Sequence, residues 1–309
     1  MPEGAGSGTR GAWFPGWFWP SFAAPATLWI ILFFVVPFYV ILAIAFGQLD
    51  HIFLTPIPVY NPLDWDATAF VDVVQQFATS GSVYQSALWH TLVFVGAATA
   101  ICLLIGYPVA YFIARHAGRF KVLFLVLFIA PFWISYMMRM LAWMNLLQPN
   151  GYVNRGLEAL GLIDRPILWL NGKPITVILG LAYGYVPYMI LPLYATLDRI
   201  SSATLEAGRD LGAGQVSTFF RITLPLSRQG ILAGIVIVTL PMFGDYYTTN
   251  LLASTRNTAM VGTLIVSSMG SSLVQQGASL VLLLLIALLF PMLYYLRETS
   301  RAAELVSAT

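Results

Sequence analysis

Two charged side chains stand inside long apolar runs of this 309-residue chain: Arg139 in ISYMMRMLAW and Asp245 in MFGDYYTTN. A charge in hydrocarbon costs at least about 2.5–3.5 kcal/mol on insertion scales, so it usually faces a bundle interior or a cavity. Two arrangements suit these residues: an ion pair that fastens two helices, or two charges lining one outward-facing vestibule. Trp133, Tyr136, Tyr183, Tyr185, Tyr188, Tyr246 and Tyr247 lie close to them in sequence. Their π faces could hold an organic cation, although packing alone also accounts for aromatic residues at such places. Pro131, then Gly184, Pro187 and Pro192, then Pro241 and Gly244 predict breaks in three adjacent helices. Broken helices at membrane depth are tolerated where they line a cavity, and in transporters they often mark the solute route.

A second polar stretch, LEAGRDLGAGQVSTFFRITLP (Leu205–Pro225), carries Glu206, Arg209, Asp210 and Arg221 with Gly208, Gly212 and Gly214. Other chemistries are missing. The sequence has no G-x-x-x-x-G-K-[ST] phosphate-binding loop, no H-E-x-x-H zinc helix and no G-x-S-x-G nucleophile elbow. Uphill movement of a solute would therefore draw on another chain that hydrolyses ATP, or on an ion gradient with Asp245 as the titrating or coordinating group.

The elements that must position these residues follow from composition. Hydrophobic residues make up 59% of the chain and charged residues 9%, against about 25% charged in soluble domains. Such a surface needs lipid as part of its solvent. The single cysteine, Cys102, excludes a disulfide framework. Six runs meet the roughly 20 apolar residues that a helical crossing requires: Ala24–Phe46, Ala87–Ala114, Val122–Leu147, Pro174–Leu197, Gly230–Leu252 and Ala278–Leu296. The first is as long as a full span and does not read as a cleaved signal peptide. WFPGWFWPSF (Trp13–Phe22) suits an anchor at headgroup depth.

With the N-terminus inside, ten lysines and arginines fall in inside segments and four, Arg155, Arg165, Lys173 and Arg256, in outside ones. That bias predicts both termini inside. The first outside loop has no lysine or arginine but holds Asp50, Asp64, Asp66 and Asp72. Along straight helices, Arg139 and Asp245 would both stand roughly 22–26 Å above the inner ends of their spans. Leu205–Pro225 falls inside, between the fourth and fifth spans. Thr204 or Ser202 can cap a short helix ending near Gly212. After a turn at Gly212–Gly214, a second helix would present Phe219, Phe220, Ile222 and Leu224 until Pro225 ends it.

This helix–turn–helix resembles the EAA loop of ABC importer permeases, E-A-A, three residues, G, nine residues, I-x-L-P. Glu206, Ala207, Gly212, Ile222, Leu224 and Pro225 match, and Gly208 replaces the second alanine. GYPVAYFIAR, PFWISYMMRMLAWMNLL, NGYVNRGLEALGL, YGYVPYMILPLYATLDRI and MFGDYYTTNLLASTRNTAMVG resemble the spermidine/putrescine permease branch, in particular its first permease subunit. The resemblance implies an all-α polytopic fold of the type I ABC importer permease. Its layout is an N-terminal segment 1–23, a permease domain 24–297 with a coupling loop at about 198–229, and a tail 298–309. It also implies that Glu206, Ala207, Gly208, Asp210, Leu211, Gly212 and Ala213 meet a cytoplasmic ATPase. On this reading the chain has no catalytic residue, metal or cofactor of its own, and ATP and Mg are bound by the ATPase dimer. The other implied partners are a second permease, an extracytoplasmic solute-binding protein and the lipid of a bacterial inner membrane, with no nucleic acid.

Overall fold

A computed structural model describes residues 18–50, 56–253, 255–271 and 273–307. Most of the aromatic anchor expected at Trp13–Phe22 lies outside the described residues; its last five residues already belong to the first helix. That helix, α1 (Phe18–Ile30), passes through a π-helical turn at Ile31–Val35 into α2 (Val36–Ala45). The first loop pairs β1 (Gln48–Leu49) antiparallel with β2 (Pro56–Ile57), with Gln48 opposite Ile57 and Leu49 opposite Pro56. After α3 (Thr68–Ala78) comes the 33-residue α4 (Val83–Arg115). The third run is α5 (Lys121–Ile129) and α6 (Tyr136–Leu146), joined by a 3₁₀ turn at Ala130–Trp133. A short α7 (Tyr152–Ala159) precedes α8 (Pro174–Arg199). The polar stretch folds as α9 (Ser202–Asp210), α10 (Gln215–Thr218), a π-helical turn at Phe219–Thr223 and α11 (Leu224–Leu226). Then follow α12 (Arg228–Phe243), α13 (Tyr247–Leu252), α14 (Val261–Met269) and α15 (Val274–Ser307).

Among the described residues four helices are long and apolar enough to cross a membrane unbroken, and the number reaches six only if each of two bent pairs, Gly118–Trp133 with Tyr136–Leu146 and Gln215–Leu226 with Arg228–Phe243, counts as one span. All six expected runs are mostly helical, but two have a different form. The third bends by 84° between Trp133 and Tyr136, where Ile134 and Ser135 are extended. The straight-helix height expected for Arg139 therefore does not hold. The expected fifth span is interrupted too: α12 ends at Phe243 and Asp245 lies in the gap before α13.

The expected break in the fourth span is absent. α8 runs unbroken through Pro187 and Pro192, because α4 and α12 pack against it along its length. A proline removes one backbone hydrogen bond, and close neighbours can hold the helix together around the gap. Met189 sits where both neighbours come close to α8. A Cβ on Gly106 of α4 would meet Met189 Cγ at 3.1 Å, and one on Gly234 of α12 would meet its Sδ at 2.5 Å. Small residues let helices approach this closely without a hydrophobic drive from lipid. Ala98, Cys102, Ala110, Leu181, Leu193, Val238 and Met242 complete the core. The large apolar side chains of α1, such as Phe22, Trp29 and Ile30, are exposed.

Candidate functional site

At one end of α12, the 198–229 loop forms a compact projection. Its cap is Ser201, not Thr204 or Ser202: Ser201 Oγ accepts from the Thr204 amide at 3.2 Å. The end of α9 is a left-handed turn at Gly212, φ +84°. The Gly212 amide donates to Arg209 O at 2.8 Å and the Ala213 amide to Gly208 O at 3.1 Å. These two bonds satisfy carbonyls that the helix end leaves free, and the left-handed residue between them favours glycine.

Gly208, the departure from the motif, packs against Ile222: a Cβ there would collide with Ile222 Cδ1. Glycine at 208 and isoleucine at 222 thus draw the two short helices together. Pro225 does not end the second helix. The wide turn at Phe219–Thr223 lies just ahead of it, and the chain bends by 60° only at Ser227.

Of the four apolar residues expected to be presented, only Phe220 is exposed. Phe219 turns inward, edge-on to Tyr107 and Tyr111 of α4, and the Tyr107 hydroxyl lies 2.9 Å from Ser227 Oγ. Ile222 and Leu224 are half-buried. The apex instead exposes Glu206, Ala207, Asp210, Leu211 and Gly212, with Leu211 at 89% and Val216 nearby, while Gly208 and Ala213 are half-buried.

At the other end of α12, Asp245 is buried in a hydrogen-bonded cluster. Its Oδ1 accepts from the Thr248 amide, in the first turn of α13, at 2.9 Å. Its Oδ2 accepts from the hydroxyls of Tyr136 at 2.6 Å, Thr248 at 3.0 Å and Tyr185 at 3.4 Å. α6, α8 and α13 converge here. The glycines of α8 permit it: a Cβ on Gly184 would lie 2.6 Å from Tyr136 Cε2, and one on Gly180 would lie 2.8 Å from Thr248 Cγ2. The sequence reading passed over Thr248. The spacing of an aspartate three residues before a threonine at a helix start is a capping signal that could have found it.

Arg139 is not paired with Asp245. Among the described residues the ion pairs are Lys121–Asp198 at 2.5 Å and Arg228–Glu298 at 3.0 Å. Tyr136 explains why. Its hydroxyl is taken by Asp245, while its ring stands beside the guanidinium, whose Cζ lies 5.3 Å from the Tyr136 centroid. The same Cζ lies 4.1 Å from the Phe132 centroid and 6.0 Å from that of Tyr183. Such contacts are worth about 0.5–2 kcal/mol each. Arg139 is 6% exposed, and its Nε and Nη1 are buried without an acceptor.

A cavity of about 550 Å³ opens beside this cluster, walled by Phe132, Trp133, Tyr136, Arg139, Tyr185 and Tyr188 among others. The structure thus brings together six of the nine residues singled out at membrane depth: Trp133, Tyr136, Arg139, Tyr185 and Tyr188 on the wall, and Asp245 behind it. Tyr183 turns aside toward Trp143, 5.3 Å between centroids. Tyr246 and Tyr247 stack on each other at 4.1 Å, and Tyr247 also reaches Tyr136 at 6.5 Å. Among the described residues no group of three or more His, Cys, Asp or Glu side chains could hold a metal ion.

The profile of the binding-protein-dependent transport system inner membrane component family matches residues 104–297. The chain is 35% identical over 241 residues to the spermidine/putrescine transport system permease protein PotB of Haemophilus influenzae, covering 77% of this chain and 79% of that one. It is 39% identical over 175 residues to PotB of Escherichia coli, covering 57% and 63%. A chain in the crystal structure of a bacterial alginate ABC transporter, in complex with alginate pentasaccharide-bound periplasmic protein, shares its fold. The TM-score is 0.69 over 93% of this chain and 95% of that one, at 20% identity. The gradient-driven alternative gains no support from these likenesses, and Asp245 is already engaged in four hydrogen bonds. The bent, glycine-packed helix bundle, its projecting loop and the matched profile agree: this chain belongs to the family of binding-protein-dependent transport system inner membrane components, as a permease subunit of the ABC importer type.

Proposed function

We propose that the chain forms half of the translocation pathway of an ATP-driven importer whose solute is a polyamine such as spermidine or putrescine. The observation that carries the solute is the 35% identity to a spermidine/putrescine permease across more than three quarters of both chains. The cavity chemistry agrees. Trp133, Tyr136, Tyr185 and Tyr188 provide π faces for an ammonium group, and Asp245 positions Tyr136 and Tyr185 by accepting their hydroxyls.

In this reading both termini and the 198–229 loop are cytoplasmic, in a bacterial inner membrane. Glu206, Ala207, Gly208, Asp210, Leu211, Gly212 and Ala213 form the surface that meets an ATPase dimer, where ATP and Mg are bound. A second permease closes the pathway and a solute-binding protein delivers from outside. ATP shifts the pair between inward- and outward-facing states only by its different affinity for the two. Phe219 and Ser227, tied to Tyr107 of α4, give a packed route from the loop into the bundle.

The test is uptake of labelled spermidine by the complete transporter in proteoliposomes, with its binding protein and with ATP supplied or withheld. Uptake that needs ATP and is competed by unlabelled putrescine is expected. Gradient-driven uptake without ATP would overturn the mechanism; ATP-driven complexes that ignore both polyamines would overturn the solute.

A further inference from the structure

We propose that Arg139 is neutralised by a carboxylate side chain of the second permease subunit, inserted into the cavity beside Tyr136. The inference rests on the pairing with a second permease but not on the identity of the solute. Arg139 is 6% exposed, its Nε and Nη1 are buried without any acceptor, and what remains accessible of it lies on the cavity wall. The rings of Phe132, Tyr136 and Tyr183 crowd it. A ring face attracts a cation but is not the carboxylate that a guanidinium's donor fork matches.

Among the described residues no carboxylate reaches it. Asp245, on the far side of Tyr136, already accepts four hydrogen bonds, and no described acid lies within ion-pair distance of Arg139. Lipid tails carry no acceptor either. The described residues therefore supply no counter-charge for Arg139.

The surroundings of the cavity point to a protein as its source. Trp133 is 81% exposed, and Ile134, Tyr188 and Ile237 are exposed beside it on the same wall. A rim of large aromatic and aliphatic side chains around one charged socket is the pattern of an interface core with a single buried ionic anchor. Charge complementarity selects an aspartate or glutamate as the inserted residue. A polyamine cannot serve, because it carries the same sign as Arg139. Left bare, Arg139 would oppose a cation in the cavity; once neutralised it leaves the aromatic wall as the dominant surface.

The test uses the complete transporter, purified through a tag on this chain. Arg139→Met, Arg139→Lys and single Asp→Asn or Glu→Gln changes in the spans of the second permease are compared for the amount of that permease retained in detergent. Arg139→Met is expected to lower retention at least tenfold and Arg139→Lys by much less. One carboxylate change in the partner should lower it comparably and add nothing on top of Arg139→Met, the signature of a direct pair. The partner-side change leaves this chain untouched, so it separates a lost ion pair from a misfolded permease. Full retention in every variant would overturn the inference. So would intact assembly of Arg139→Met coupled to loss of competition by a carboxylate-bearing amine such as γ-aminobutyrate, which would assign Arg139 to a solute. If the wild-type chain retained no second permease at all, the pairing itself would fall.

Discussion

The 198–229 loop and the Tyr136–Asp245–Thr248 cluster lie at opposite ends of the 16-residue α12, about 24 Å apart along its axis, and they are built in opposite ways. In the cluster both carboxylate oxygens of Asp245 are held by other elements, and the space beside Gly180 and Gly184 is filled by neighbouring side chains. At the loop apex the backbone is fixed but the side chains are free. Gly212 is set by its left-handed turn, yet a Cβ there would meet nothing within 4 Å, and Leu211 is 89% exposed. The first arrangement spends its contacts inside the molecule. The second spends only its base, Phe219 and Ser227, and leaves its tip uncovered.

This contrast ranks the effects of substitutions. The largest is expected at Asp245→Leu, which takes the acceptor from the Thr248 amide and the Tyr185 hydroxyl and leaves the Tyr136 and Thr248 hydroxyls with each other alone in place of the carboxylate. Each buried donor left unpaired costs about 1–3 kcal/mol, enough together to remove much of a typical stability of about 5–15 kcal/mol. The yield of monodisperse permease in size-exclusion chromatography should collapse; a normal yield would show the cluster to be dispensable.

Next comes Gly262→Ala, where a Cβ would lie 2.7 Å from the carbonyl oxygens of both Gly244 and Asp245. Backbone cannot yield as a flexible side chain does, so a loss of about 1–3 kcal/mol is expected, read as a lower midpoint of thermal unfolding. An unchanged midpoint would mean that the break after α12 is softer than its packing implies.

Smaller still, Ser201→Ala removes the α9 cap for about 1 kcal/mol, and Gly212→Ala strains the left-handed turn by about 1–2 kcal/mol. Both should appear as faster hydrogen exchange within 202–226 and leave exchange in α13 unaltered. Propagation into α13 would erase the distinction between the two ends.

The smallest effect on stability is expected from Leu211→Asp, within about 0.5 kcal/mol as for other exposed positions. Spermidine-dependent ATP hydrolysis by the complete complex should nonetheless fall at least tenfold. Glu206→Lys and Gly212→Trp should likewise assemble yet hydrolyse ATP without uptake. Normal uptake in all three would place the ATPase contact elsewhere.

The loop was legible because its physics is local. A cap, a left-handed glycine and a pair of packed short helices all act within about 25 residues, so a spaced motif can encode them. Even so, the choice of cap and the inward turn of Phe219 escaped notice, the latter because it depends on Tyr107 more than a hundred residues away. The cluster around Asp245 was legible only as a roster. Arg139, Asp245 and the tyrosines stood out as costly or aromatic residues at membrane depth, but no pattern told which of them meet.

What the sequence determined by itself was the class of solvent, the positions of six apolar runs and the polar loop between the fourth and fifth. Those follow from transfer free energy and local backbone preference, which are properties of short segments. Tertiary structure decided which prolines break a helix: Pro187 and Pro192 stay inside α8, packed between α4 and α12, whereas the chain turns by 84° just after Pro131. It also decided that Tyr136, and no salt bridge, stands between Arg139 and Asp245. The reason is the same in both cases. A missing hydrogen bond or a buried charge has a cost known from the residue alone, but what offsets it is supplied by neighbours distant in sequence.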